Sequence, residues 1–124
     1  MTQQRPIIDP PEGEAPTELL LEDLVIGEGG EALAGKTVVV DYVGVSWSTG
    51  EEFDASWNRN ETFSFGLGAG MVIAGWDQGV AGMKVGGRRR ITIPPHLGYG
   101  SQGAGGVIAP NETLIFVVDL HEVR

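Results

Sequence analysis

The chain reads as an α+β domain, an antiparallel sheet curved around one short α-helix. Three observations predict this class. Several short runs of the 124 residues alternate with a period of two, as half-buried strands do. A single stretch, residues 72–83, carries the period of a helix. No strand–helix–strand alternation occurs, so a parallel sheet is not expected.

The elements follow in order. "MTQQRPIIDPPEGEAPTE" is rich in Pro and acid and has no apolar period. Residues 1–17 are therefore expected to be a mobile acidic leader and residues 18–124 the domain. "ELLLEDLVIGEG" gives a first strand that stops at Gly29-Gly30. "KTVVVDYVGVSW" sets Val38, Val40 and Tyr42 on one face against Val39, Asp41 and Val43 on the other. "STGE" turns the chain, and a short irregular strand starts at Phe53. "ETFSFGLG" places Phe63, Phe65 and Leu67 on one face and Thr62 and Ser64 on the other. "RRRITIPP" is a strand with Ile91 and Ile93 on one face, stopped by Pro94-Pro95. Arg89 shares that face, and at the strand end its long side chain can snorkel out. The Gly-rich loop "HLGYGSQGAGGVIAPNE" leads to "TLIFVVDLHEV", with Leu114, Phe116, Val118 and Leu120 inward and Asp119 and His121 outward.

Ile73, Trp76, Val80 and Met83 form the apolar stripe of the one helix, flanked by Gly75, Gly79 and Gly82. Each interior Gly costs roughly 1 kcal/mol relative to Ala. Without Cβ atoms, the helix backbone can lie unusually close to its neighbour, which is the expected return.

Composition excludes several functions. The chain has no Cys and two His, so a disulfide framework, a thiolate nucleophile and a His-rich metal site are not expected. The net charge is −9, concentrated in residues 1–31 with eight acids against one Arg. Such a chain repels phosphate backbones, so no nucleic-acid partner is expected. "RRR" at 88–90 reads as a solvated edge. "GLGAG" follows a strand and precedes a helix, but its third Gly arrives one residue early for a dinucleotide fingerprint, so it reads as a turn. No apolar run reaches the roughly 18 residues of a membrane span, and the first residues lack the basic-then-apolar pattern of a secretory signal. A soluble cytoplasmic protein is the expectation.

"VDYVGV", "FDAS", "FSFGLGAGMVIAGWDQGVAGMKVGGRRRITIPPHLGYG" and "LIFVVDL" together resemble the FKBP-type peptidyl-prolyl cis-trans isomerases, in order and from about Leu20 to Val123. The resemblance implies a five- or six-stranded antiparallel sheet over one short helix, with a pocket between them. It also implies an isomerase of X–Pro bonds that acts in protein folding, binds macrolides such as rapamycin and tacrolimus, works as a monomer and needs no cofactor. Trp76 would be the pocket floor, Tyr42, Phe53, Phe63, Tyr99 and Phe116 its walls, Val72 and Ile73 its entrance, and Ile108 a further contact. The Ile73 N–H and the Tyr99 hydroxyl would donate to the ligand's carbonyls, and Asp54 would be the lone acid at the edge. Phe53, Phe116, Asp54 and Tyr99 would carry catalysis.

Each residue also has an ordinary reading. Inward Phe residues and Trp76 are commonly core, and Asp54 fits a turn or an ion pair with Arg59 equally well. A proline-peptide or chaperone module with weak isomerase activity would use the same pocket, as would a carrier of a small apolar metabolite. The chain departs from many relatives at Ala109-Pro110, where they carry Pro-Pro, at the small Ala104 and Gly105, and in a longer "SWSTGEEF" turn.

Overall fold

β2 is the hub of the molecule. In a computed structural model, which describes residues 4–9 and 11–124, β2 (Thr37–Ser46) pairs along its length with β6 (Leu114–Val123) and at its two ends with β3 (Glu52–Ala55) and β4 (Phe63–Gly66). β5 (Arg88–Ile93) lies between β6 and β1 (Leu20–Val25), so the six-stranded antiparallel sheet has the order β1-β5-β6-β2-β3 with β4 off that path. The one α-helix among the described residues, α1 (Ala74–Gly79), lies between β4 and β5 in sequence.

The inward faces read in β2 and β6 hold in the structure, although both strands are largely buried on their other face too. Val38, Val40 and Tyr42 share one buried cluster with Leu114, Phe116, Val118 and Leu120, and Trp76, Val80 and Met83 close it from below. Gly75 and Gly79 make that closure possible. A Cβ on either would lie 2.5 Å from Ile93 and 2.8 Å from Ile91 respectively, inside any real contact, so bare backbone is what lets α1 rest on β5. Gly82 has a different role: it meets nothing, and its φ of 89° serves the turn that follows the helix.

α1 is shorter than the expected 72–83, because Ile73 has an extended ψ of 149° and only caps the helix. The first strand likewise ends at Val25, after a register shift between Asp23 and Val25, well before Gly29. Its side chains are exposed because β1 is an edge.

The three arginines are not a solvated edge. They sit on β5, between two other strands, and opposite charges hold two of them. Arg89 does not snorkel outward. It is buried and binds Asp23 at 2.7 Å and the carbonyls of Gly79 and Ala81 at 2.8 and 3.0 Å, so it satisfies acceptors at the helix C-terminus. Arg88 binds the Asp119 carboxylate through two nitrogens, at 2.6 and 3.0 Å. Asp119 points away from the helix as expected but is fully buried, in company with Val43, Val45, Ile115 and Val117. The N-terminal segment lies over this outer face. Pro6 is buried, the Gln4 carbonyl accepts a hydrogen bond from Arg88, and the Gly13 carbonyl accepts one from the Trp47 indole at 3.3 Å.

Candidate functional site

Gly44 faces the interior from β2, opposite Phe116 of β6. A Cβ there would lie 2.7 Å from the Phe116 ring and 2.8 Å from that of Phe53. Its absence lets the two rings meet edge to face, with centroids 5.4 Å apart at 89°. Trp76, carried by α1, presses up against the same group. Tyr42 stands over it at 5.0 Å and 81°, Phe116 at 5.2 Å and 90°, and Phe63 at 5.9 Å and 74°. Edge-to-face pairs of this kind contribute about 0.5–1.5 kcal/mol each beyond area burial. The indole is buried, and its N–H finds no acceptor among the described residues.

These rings border a cavity of about 520 Å³. Tyr42, Phe53, Asp54, Phe63, Val72 and Ile73 line it, together with Trp76, Tyr99 and Phe116. Ile108 is the exception among the expected contacts. It is buried, its backbone pairs with Ala104, and it borders a separate cavity on the far side of Phe53. Gly70 and Met71 complete the rim and were not singled out in the sequence. Their place immediately before Val72-Ile73, at the helix entrance, is the signal that points to them.

The polar edge is a closed triangle. The Tyr42 hydroxyl donates to Asp54 Oδ2 at 2.6 Å, Arg59 Nη1 donates to Asp54 Oδ1 at 2.8 Å, and Arg59 Nη2 donates to the Tyr42 oxygen at 2.9 Å. Partial burial pushes the Asp54 carboxyl up, but the hydrogen bonds from Tyr42 and Arg59 and the Arg59 charge outweigh it and hold the pKa below the usual carboxylate range. Burial and the bond to Asp54 push the Tyr42 phenol above its usual range, against the opposing pull of Arg59. Asp54 is thus both an ion-pair partner of Arg59 and a wall of the cavity. Arg59 was visible in sequence only as that partner, five residues downstream.

The Trp76 indole N–H is not the only donor at the cavity without a partner among the described residues. Neither the Ile73 N–H nor the Tyr99 hydroxyl has an acceptor among the described residues. The amides of the "GLGAG" turn are not free: Gly68 and Gly70 donate to the Asp77 carboxylate at 2.9 and 3.1 Å, so they offer no phosphate cradle. Among the described residues no three His, Asp or Glu converge as metal ligands, and no helix is long and apolar enough to cross a membrane.

Among the described residues, an antiparallel sheet over one α-helix thus carries an aromatic cavity edged by a single fixed carboxylate. The comparisons with known proteins give the chemistry. The family model for the FKBP-type peptidyl-prolyl cis-trans isomerase matches residues 29–121. An FK506-binding protein of Streptomyces anulatus is 62% identical over 121 residues, 97% of this chain and 98% of its own. A probable FK506-binding protein of Corynebacterium glutamicum is 50% identical over 117 residues, 94% of this chain and 97% of its own. The crystal structure of AtFKBP13 matches with a TM-score of 0.80 at 37% identity, covering 89% of this chain and 96% of that one. The chain belongs to the FKBP-type peptidyl-prolyl cis-trans isomerase family.

Proposed function

We propose that this isomerase works on X–Pro bonds of folding polypeptides in the cytoplasm, as a monomer, through the cavity above Trp76. Residues 18–124 form the isomerase domain. The observation that carries the reading is the cavity's make-up: ring faces and edges around Trp76, an Ile73 N–H and a Tyr99 hydroxyl with no acceptor among the described residues, and one carboxylate that is already bonded through both oxygens. Its inhibitors are macrolides of the rapamycin and tacrolimus type, a reading supported by the FK506-binding names of the two bacterial relatives.

An X–Pro bond isomerises unaided in tens to hundreds of seconds, over a barrier of about 20 kcal/mol set by amide resonance. Twisting the bond breaks the resonance and leaves a less zwitterionic state than either planar isomer. A water-poor aromatic cavity therefore disfavours the planar forms relative to the twisted one. Trp76 offers a flat floor to the prolyl ring, with Tyr42, Phe63, Phe53 and Phe116 around it. The Ile73 N–H and the Tyr99 hydroxyl donate to the carbonyls that flank the bond. Asp54 is held ionised by Tyr42 and Arg59, so it serves as a fixed negative charge and not as a proton acceptor. Lowering the barrier by about 5–8 kcal/mol corresponds to an acceleration of about 10⁴–10⁶. No proton moves and no covalent bond forms.

Exchange NMR on Leu-Pro and Glu-Pro peptides tests this reading. Apolar walls without a free cation predict faster exchange for Leu-Pro. Equal rates for the two, or rates no higher than in buffer, exclude it.

A further inference from the structure

We infer that Arg5, in the N-terminal segment, is a positioning residue for the isomerase site. The inference rests on the cavity reading above and extends it to a part of the chain outside the family match.

The Arg5 guanidinium reaches two residues at once. Nη2 donates to Glu52 Oε1, Nη1 donates to Asn58 Oδ1 at 2.8 Å, and Asn58 Nδ2 donates to Glu52 Oε2 at 3.0 Å. The three side chains form a closed ring. Burial and the Asp54 charge push the Glu52 carboxyl up, but the bonds from Arg5 and Asn58 and the charge of Arg5 leave it below the usual range.

The location of this ring gives it a function. Glu52 lies on β3, one residue before Phe53 and two before Asp54, and Asn58 lies in the 3-10 turn of Ser56–Arg59, one residue before Arg59. At the cavity, Asp54 and Arg59 are joined by their own ion pair. The same two segments, β3 and the turn, are therefore fastened twice. Asp54, Arg59 and Tyr42 fasten them at the cavity, and Glu52, Asn58 and Arg5 fasten them a second time. Tyr42 reaches the first fastening from β2 and Arg5 reaches the second from the N-terminal segment, where its approach is held by buried Pro6 and by the Gln4 carbonyl on Arg88. β3 is only four residues long and pairs with β2 through a register shift between Gly44 and Val45, so few ladder bonds fix Phe53. A bidentate clamp on Glu52 and Asn58 limits how far Phe53 can swing from Phe116.

The exposure of Arg5 and Glu52, 39% and 34%, sets the scale. Ion pairs this exposed are worth a few tenths to about 1 kcal/mol, which converts to a roughly two- to fivefold effect. Arg5→Ala and Glu52→Gln are each expected to lower kcat/KM on a short Leu-Pro peptide by that factor. The double variant is expected to lose no more than either single one, because both remove the same contact. Thermal melts of all three are expected to stay within a few degrees of the parent. A residue that merely anchors the N-terminus would lower the melting temperature and leave kcat/KM at 10 °C unchanged.

In amide NMR spectra of Arg5→Ala, the Phe53, Asp54 and Arg59 signals are expected to shift, and this readout holds even if the variant melts early. Unchanged kcat/KM in Arg5→Ala, multiplied losses in the double variant, or shifts confined to residues 1–17 would overturn the assignment. Trp76→Leu serves as the control for the cavity itself. Full activity in that variant removes the cavity reading, whereas a normal Arg5→Ala beside an impaired Trp76→Leu removes only the role of Arg5.

Discussion

Asp54 Oδ2 accepts a 2.6 Å hydrogen bond from the Tyr42 hydroxyl, and Arg59 binds both partners. Because the Asp54 pKa is lower folded than unfolded, the stability this carboxylate gives is fully present above its unfolded pKa. It is lost as pH falls through the folded pKa. The triangle is partly open to solvent, so its share stays under about 1 kcal/mol. Urea unfolding of the parent and of Asp54→Asn between pH 7 and pH 2 checks this. The variant is expected to be less stable at pH 7, with the gap closing at the acid end. A gap that does not change with pH would show that the charge contributes nothing.

Gly44→Ala is the most local test of how the walls are set. The added methyl falls on the Phe53 and Phe116 rings, and overpacking of this kind costs about 1–3 kcal/mol. The melting temperature is expected to fall by several degrees, and affinity for tacrolimus to drop further than for a peptide that uses fewer wall contacts. Calorimetry with both ligands reads the difference. Unchanged binding of both would mean that the edge-to-face pair is irrelevant to the ligand.

Tyr99 is 41% exposed at the rim, and its hydroxyl has no partner among the described residues. If it donates to a bound macrolide, Tyr99→Phe should weaken tacrolimus by about 1 kcal/mol, or roughly fivefold. Fold stability should not change, because the hydroxyl makes no bond among the described residues. Equal affinity of the two proteins in titration calorimetry would take the hydroxyl out of the site.

Trp76 allows an optical reading. With Trp47 and Trp57 changed to Phe, all indole emission arises from the buried ring at 76. It is expected to resist iodide quenching and to change in intensity when tacrolimus or a proline peptide displaces cavity water. Trp76→Leu is expected to keep the fold and lose affinity, since a branched chain lacks the planar surface. Easy quenching and indifference to ligand would make Trp76 ordinary packing.

The sequence by itself determined the class of the fold and most of the cavity wall. Alternation in "KTVVVDYV" and "TLIFVVDL" is a local property that survives folding, because each strand buries one face against the helix. Tyr42, Phe53, Phe63, Trp76, Tyr99 and Phe116 are named as a pocket through the family likeness, since an inward ring taken alone reads as core, and all six border one cavity. Only the tertiary structure decided matters that depend on what lies across from a residue. Gly44 acquires its purpose from the register that sets it against Phe116. Arg88, Arg89 and Asp119 look solvated along the chain, yet Arg side chains are long enough to find Asp119, Asp23 and helix carbonyls two elements away. Ile108 packs beyond Phe53 because its loop closes on Ala104. The N-terminal segment has no apolar period to betray a docking site, and the contacts of its described residues include a buried Pro6, the Gln4 and Gly13 carbonyls and the Arg5 side chain, which leave no pattern in a sequence.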